Sequence, residues 1–315
     1  MSAFPLQPRY SKMIILGQQF DNMPYLIAIV AGLSVGDPFI GLEELHGFAD
    51  SQDGSGESGI PGFKRRKFEE SRQQFSALDI GCDVLRLLCA IGAYEASGAA
   101  DNFCEEHFLR VKTMKDIRKL RMQITSIVNN QLSGIVAPVE ITANLPPPSP
   151  LQIRTIKQVI TAAYLDCIAI RADLVDSNSS SSNTKTTLRA EYLPMTTPTG
   201  QGLTTEFAFV HPKSAVADLS KAPDYIVYSE IRESQKTHKL RLIPLTTVSA
   251  REIEPLARGT PLIQYSKPLN YPPPRVFSEN GVLKKEVYVV PRFGFQGRGW
   301  ELPSIKRIDS IGKDK

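Results

Sequence analysis

The sequence has few cysteines and histidines and no recognisable metal motif. Its cysteines form no CxxC pair, and its scattered histidines lack HExxH spacing. A metal site is therefore not predicted, and core packing in a reducing compartment is the favoured role of the thiols. The cysteines are Cys82, Cys89, Cys104 and Cys167.

Nucleotide-hydrolysing motifs are also missing. The chain contains no GxxxxGK[ST] loop to cradle phosphates and no DExH-type acidic pair to hold magnesium. GFQGRG, at Gly294–Gly299, superficially resembles a phosphate-binding glycine pattern. Its glycine spacing differs from that of the dinucleotide-binding pattern, and no βαβ unit surrounds it. A turn-rich surface loop is therefore predicted. A free-standing enzyme is not indicated.

Long hydrophobic runs and a strong charge excess are absent too. The longest apolar run, LIAIVAGLSV at residues 26–35, is about half of a membrane span. No secretory signal is visible, so a soluble intracellular protein is expected. The net charge is +4, from 37 basic and 33 acidic residues, which by itself does not indicate nucleic-acid binding. The 315 residues, 42% of them apolar, allow two or three compact units.

The first part of the chain has helical periodicity. Residues 9–40 are predicted to be helical, with Asn22 as a cap and Pro24 in a first turn. The apolar residues after Pro24 point in nearly all directions, which predicts a helix buried on several sides. Residues 41–75 are rich in Gly and Ser, which predicts a mobile insertion. The KRRK run at 64–67 could be a nuclear address, a phosphate contact or a solvated loop edge.

Residues 77–130 are again predicted to be helical. Apolar residues of the KTMKDIRKLRMQI segment follow helical spacing, and basic side chains such as Lys112 and Arg118 lie between them. A basic face of this kind is either solvated or contacts nucleic acid. After a proline-rich linker, an amphipathic helix is predicted over residues 151–175, followed by a Ser-rich joint.

From about residue 188 short β-rich segments alternate with turn signals. The segments FAFVHP, DYIVYSEI, HKLRLIPLTTV and LIQYS, with a capping box at Ser249 and Glu252, favour a small OB-type barrel over a parallel sheet. A hairpin turn is predicted at Asn280–Gly281. Two segments of this part, HPKSAV and YSEIRESQKTHKLRLIPLTT, carry side chains suited to phosphate and sugar contacts, although a solvated hairpin is an alternative. Those side chains are Lys213, Ser214, Lys236, Lys239, Arg241 and Thr246.

Four segments of the sequence resemble DEAH-box RNA helicases, in that family's order. FPLQPRYSKM resembles the last winged-helix segment, NFCEEHFLRVKTMKDIRKLRMQI the helicase-associated helical bundle, and FAFVHPKSAV with DYIVYSEI the OB fold. The tail, YPPPRVF…RGWELP, looks like the C-terminal extension of the nucleolar small-subunit-processome helicases that release U-three snoRNA from pre-ribosomal RNA. The resemblance covers most of the chain, apart from residues 41–75 and the Ser-rich joint.

The resemblance implies an α+β multidomain fold. Its parts are a winged-helix remnant at 1–20, a helical bundle at 21–176 with the insertion 41–75, a linker at 177–187, an OB fold at 188–270 and a C-terminal extension at 271–315. In the family the FPL-x-P-R element follows two RecA-like ATPase domains, so Met1 is expected to be an internal methionine. ATP and magnesium would bind those other domains. The chain itself is expected to need no cofactor and to be inactive as an ATPase.

The function implied by the resemblance is an RNA-channel and regulatory module in 18S rRNA processing and small ribosomal subunit biogenesis, in the nucleolus. The implied partners are single-stranded RNA, the helicase's own ATPase domains and a processome activator protein, with no membrane. His238 replaces an aromatic residue that is usual in the family's OB hairpin. The residues expected to touch the RNA backbone without reading bases are Lys112, Arg118, Lys213, Ser214, Lys236 and Arg241.

A protein-interaction module that docks activators, without autonomous RNA binding, is the alternative. The apolar stretch Phe4–Leu16, expected to be exposed because its natural neighbours are absent, supports that alternative.

Overall fold

The fold consists of two compact units. The computed structural model describes residues 6–18, 21–42, 44–45, 62–131, 138–140, 145–175, 186–195, 207–235, 237–279, 282–295 and 299–310. Met1–Ala163 with His211–Leu219 form the first unit, called here the helical unit. Tyr164–Val210 with Ser220–Lys315 form the second, called the barrel unit. Among the described helices, none combines the length and the apolarity that a bilayer crossing requires.

The helical unit is built around a helix that is buried on nearly all sides. This helix, α2, contains residues 26–31, whose side chains are almost completely inaccessible, and it packs against α1, α4 and α6. Pro24 lies in its first turn, as predicted. The helices of this unit are α1 (Pro8–Gln18), α2 (Met23–Val35), α3 (Gly62–Phe75), α4 (Asp83–Ala96), α5 (Asp101–Glu106), α6 (Val111–Gln131) and α7 (Pro150–Ala163).

The first helix is a packed part of its unit. Met13 and Ile14 are 0% exposed, and Lys12 Nζ donates a hydrogen bond to the carbonyl of Ala162 at 2.7 Å. This contact places a cation against the last carbonyls of α7, which carry the negative end of that helix dipole. The expectation of an exposed apolar stretch is therefore wrong for α1, because α2 and α7 cover it.

Part of the predicted mobile insertion is a helix. Residues 62–75 form α3, whose Phe75 is buried and whose ring lies 6.1 Å from that of Phe39. Ion pairs one turn apart, such as Arg65–Glu69 at 3.1 Å, give the exposed face of this helix local support. The expectation of a loop is thus wrong for this part. Residues 46–61 lie outside the described residues.

The helix predicted over residues 151–175 ends at Ala163. Ile168–Arg171 form a strand, β1, which pairs with one strand on each side and is buried over its first three residues. The helical prediction is wrong there because closure of a barrel, a long-range pairing, overrides the local apolar spacing. The barrel unit therefore begins at Tyr164, before the predicted OB start at residue 188.

The predicted OB-type barrel is confirmed. Five strands close in the order β1-β2-β3-β5-β4, with β3 and β5 parallel and the other neighbours antiparallel. This order, with a parallel third and fifth strand, is the OB arrangement. The strands are β1 (Ile168–Arg171), β2 (Tyr192–Pro194), β3 (Ala208–Val210), β4 (Tyr225–Glu233) and β5 (Leu240–Val248).

The end of the barrel unit adds a helix and two small sheets. Helix α8 (Ala250–Ala257) begins at the predicted capping box, where the Ser249 amide donates to the Glu252 carboxylate at 3.0 Å. The predicted hairpin is confirmed by the antiparallel pairing of β7 with β8, although its two turn residues lie outside the described residues. The sheets are β10-β9-β6 and β11-β8-β7, from β6 (Ile263–Tyr265), β7 (Arg275–Glu279), β8 (Val282–Val289), β9 (Pro291–Phe293), β10 (Trp300–Glu301) and β11 (Ile305–Ser310).

Candidate nucleic-acid interface

The residues expected to contact RNA are divided between the two units. Lys112 and Arg118 lie on α6, and Lys213 and Ser214 lie in the His211–Leu219 segment of the helical unit. Arg241 lies on β5 of the barrel unit. Lys236 falls outside the described residues.

Ser214 is held inside the helical unit by its own hydroxyl group. The hydroxyl donates to the carboxylate of Asp83 and accepts a hydrogen bond from the Val216 amide at 3.0 Å. The neighbouring Ala215 amide donates to the same carboxylate at 2.7 Å. Ser214 is 6% exposed. Its side chain therefore fixes the start of a short 3-10 turn, residues 215–218, against the start of α4.

Asp83 belongs to a largely buried polar cluster, in which its own side chain is 22% exposed. It lies 2.6 Å from the guanidinium of Arg86, which is itself buried and donates to the carbonyl of Lys213 at 3.3 Å. Burial raises the pKa of Asp83 to about 6, although Arg86 and the Ser214 hydroxyl favour its charged form. On the other side of the cluster, the guanidinium groups of Arg86 and Arg72 lie 5.7 and 4.6 Å from the centre of the Phe39 ring.

Lys213 shares a carboxylate with an arginine that the sequence did not single out. Lys213 Nζ lies 2.7 Å from Glu44 Oε1, and Arg110 Nη2 lies 2.6 Å from Glu44 Oε2. The hydrogen bond from Lys213, then that from Arg110, lowers the pKa of Glu44 to about 2. Two partly exposed cations therefore stand together with one neutralising charge, which leaves a net positive site on the surface of the helical unit.

The basic face of α6 is partly neutralised. Arg118 Nε lies 3.2 Å from one oxygen of Glu95, and Arg121 lies 3.1 Å from the other. Lys115 pairs with Asp101. Lys112 is exposed and has no ion-pair partner in the part of the chain that the structure describes. Of the two α6 residues expected to bind RNA, only Lys112 has its charge uncompensated in this way.

The barrel carries a cluster of two cations and an aromatic ring. Arg241 donates to the carbonyl of Val210 at 3.2 Å, and its guanidinium carbon lies 5.7 Å from the centre of the Phe209 ring. Lys239 Nζ lies 4.7 Å from the same ring. The sequence reasoning missed Phe209 as a site residue. The period-two alternation of FAFVHP, which sets the aromatic residues on one face of a strand, is the signal that could have identified it.

His238 lies in the loop between β4 and β5, immediately before Lys239 in the sequence. His238 has a φ of 50°, a left-handed backbone conformation that histidine adopts more readily than most residues. Its Nδ1 lies 3.0 Å from Glu233, and its side chain is largely exposed. His238 and Lys239 lie in the loop between β4 and β5, and Arg241 is the second residue of β5. The loop between the fourth and fifth strands is a nucleic-acid-binding loop in OB folds.

The chain is similar to helicases over nearly all of its length. Residues 7–87 match the family model described as "Helicase associated domain (HA2), ratchet-like", a match that includes α1. Three relatives are Probable ATP-dependent RNA helicase DHR1 of Saccharomyces cerevisiae, Probable ATP-dependent RNA helicase DHX37 of Homo sapiens and Putative ATP-dependent RNA helicase PB1A10.06c of Schizosaccharomyces pombe. They are 31%, 32% and 30% identical over 97%, 97% and 98% of this chain.

The matched part of each relative is limited. This chain covers 26%, 24% and 25% of the length of those three proteins, so it spans about a quarter of the relatives that it matches. The family match lies in the helical unit, and the alignments continue through the barrel unit. The chain therefore matches the C-terminal, helicase-associated (HA2) region of DEAH-box RNA helicases.

Proposed function

We propose that this chain is the RNA-channel and regulatory module of an ATP-dependent RNA helicase that acts in 18S rRNA processing and small ribosomal subunit biogenesis. The observation that carries the proposal is the cluster of Lys239 and Arg241 on an OB-type barrel, in a chain that is similar to an RNA helicase over 97% of its length. In this proposal ATP and magnesium bind ATPase domains outside the chain, and the module holds the RNA.

The chemistry of the proposed contact is mainly electrostatic. Lys239 and Arg241 on the barrel, and Lys112 and Lys213 on the helical unit, are suited to phosphate oxygens of single-stranded RNA. Contacts to phosphate and sugar position the strand and carry no sequence information. Each neutralised phosphate releases counterions, so binding should weaken steeply as salt rises.

The place of action is proposed from the same family. A helicase of the small-subunit processome works in the nucleolus, and its C-terminal region would contact single-stranded RNA, the helicase's ATPase domains and an activator protein. The processome assignment is supported by the resemblance of the tail, YPPPRVF…RGWELP, to that group of helicases.

Fluorescence anisotropy with a labelled oligouridine tests the proposal on the full chain. Binding is expected at about 50 mM salt, with a large loss of affinity by about 200 mM. Lys239→Glu should weaken binding and lower the salt slope. Lys267→Glu, an exposed lysine of the same unit outside the cluster, is the matched control and should change little. Absence of binding at low salt, by a chain whose circular dichroism shows it folded, would reject autonomous RNA binding.

The alternative of a protein-docking module without RNA binding has lost its main support. It drew on an exposed apolar stretch, whereas Met13 and Ile14 of α1 are buried within the helical unit. Capture of an isolated ATPase half by a folded chain that fails to bind oligouridine would nevertheless favour it.

A further inference from the structure

Two aromatic side chains, Phe209 in strand β3 and Phe207 immediately before it, lie outside the barrel interior. Ala208 and Val210 are 0% exposed, as expected for residues that face the core. Because successive side chains of a strand alternate between its faces, Phe207 and Phe209 lie on the opposite, outer face. Phe209 is partly buried, and Phe207, immediately before the strand, is 43% exposed.

Cations stand on the same outer face. The parallel register of β3 and β5 sets Phe209 beside Arg241, and the antiparallel register of β4 and β5 sets Arg241 beside Arg232. Phe209, Arg241 and Arg232 therefore form a row across three strands, in which the guanidinium of Arg232 is paired with the carboxylate of Glu230. Lys239 lies at the end of the loop between β4 and β5. Its Nζ is 4.7 Å from the centre of the Phe209 ring.

The two phenylalanine rings differ in the side chains that contact them. The ring of Phe209 is in contact with both Lys239 and Arg241, and the carbonyl of Val210 fixes Arg241 in place. The ring of Phe207 has no aromatic or cationic neighbour among the described residues. Single exposed apolar residues are common on protein surfaces. Phe207 is distinguished by its position two residues before Phe209, the ring that Lys239 and Arg241 contact on an OB-type barrel.

An open ring beside cations is suited to one class of ligand. Proteins that bind single-stranded nucleic acid combine cations that follow the backbone with aromatic side chains on which bases stack. Stacking tolerates any base, because every base presents a π-face. A protein partner could also cover Phe207, but the adjacent row of cations favours a polyanion with flat apolar groups, and unpaired RNA has both.

We infer that Phe207 is a stacking platform for one unpaired nucleobase, while Lys239 and Arg241, held by Phe209, bind the adjoining phosphates. The inference rests on the proposed function, that this chain binds RNA. The family resemblance implies contacts to the RNA backbone alone. The inference adds a contribution to binding that depends on the presence of a base.

The test compares variants of the full chain on two labelled oligomers of equal length, an oligouridine and an abasic ribose-phosphate oligomer. Phe207→Ala should bind oligouridine about 5- to 150-fold more weakly, with an unchanged salt slope, because stacking is lost and charge is kept. Phe207→Trp should retain binding. Phe207→Ala should bind the abasic oligomer as the parent chain does.

Phe63→Ala is the matched control. Phe63 is 64% exposed and also lies near cations, Arg66 and Lys67, but belongs to the helical unit. This variant should bind oligouridine as the parent does. The inference alone is overturned when the parent binds and Phe207→Ala binds equally well, or when its loss is as large on the abasic oligomer or in Phe63→Ala. Failure of the folded parent to bind at low salt overturns the proposed function as well.

Discussion

The hydroxyl group of Ser214 donates its hydrogen to the carboxylate of Asp83, at the first residue of α4. This hydrogen bond gives a structural reason for the serine in the HPKSAV segment, which packs in the helical unit. The same hydroxyl caps the following 3-10 turn. Lys213, one residue earlier, projects to Glu44 at the surface. Neighbouring residues of one motif thus have different surroundings, one closed and one open to solvent.

Ser214→Ala is expected to destabilise the helical unit by about 1–3 kcal/mol, because it leaves the partly buried carboxylate of Asp83 without one of its donors. Urea unfolding followed by circular dichroism measures the change. Ser214→Thr, which keeps the hydroxyl, is the control and should lose less. The affinity of the folded variant for oligouridine should stay within about twofold. Unchanged stability with weakened RNA binding would instead support a direct contact with RNA.

The titration of Asp83 should make the stability of the helical unit fall between pH 4 and about pH 6. Its pKa is raised from 3.8 to about 6 by burial, so the folded state binds the proton more tightly than the unfolded state does. The stabilisation is fully present below the unfolded pKa and is lost as pH rises through the folded one. The loss should be on the order of 2–3 kcal/mol.

Asp83→Asn isolates this titration. The amide oxygen can still accept a hydrogen bond, but the side chain has no proton to lose in this range. Urea unfolding at several pH values from 4 to 7 should show a shallower fall in the unfolding free energy than in the parent chain. An equally steep fall in both proteins would show that other groups cause it.

The sequence predicted several of the parts of the fold that local patterns determine. Two local features are confirmed: the helix α2 with apolar residues on nearly all sides, and the capping box formed by Ser249 and Glu252. The strand β1 was mistaken for helix because the short apolar segment IAIR fits the spacing of a helix as well as that of a strand. Only its pairing with β2 and β4 decides between the two. Helix α3 was missed because Gly- and Ser-rich residues precede it, although the Arg65–Glu69 spacing signals a helix.

The sequence predicted which cationic residues the candidate site contains, but not the carboxylates with which they form ion pairs. The cationic residues at Lys213 and Arg118 were visible in the sequence. Their partners, Glu44 and Glu95, lie far away along the chain, so no local pattern reports that these charges are compensated. Phe209 was overlooked because a strand's aromatic residue is more often core than site, and its cationic neighbours come from another strand.

Glu44→Gln is expected to strengthen oligouridine binding at low salt. The substitution removes the carboxylate that neutralises Lys213 and Arg110, so both cations become available to phosphate. Anisotropy titrations at several salt concentrations should give a tighter dissociation constant and a steeper salt slope. Glu105→Gln, at an exposed glutamate of α5, changes the net charge equally and serves as control. Equal gains in both variants would assign the effect to overall charge.

Lys112→Ala and Arg118→Ala should differ in their effect on RNA binding, although both lie on α6. Arg118 is compensated by Glu95, whereas Lys112 has no ion-pair partner among the described residues. Lys112→Ala should therefore weaken oligouridine binding and reduce the salt slope by about one. Arg118→Ala should have the smaller effect, because Glu95 already offsets its charge. A larger loss in Arg118→Ala would mean that RNA displaces Glu95, and no change in either variant would remove α6 from the RNA path.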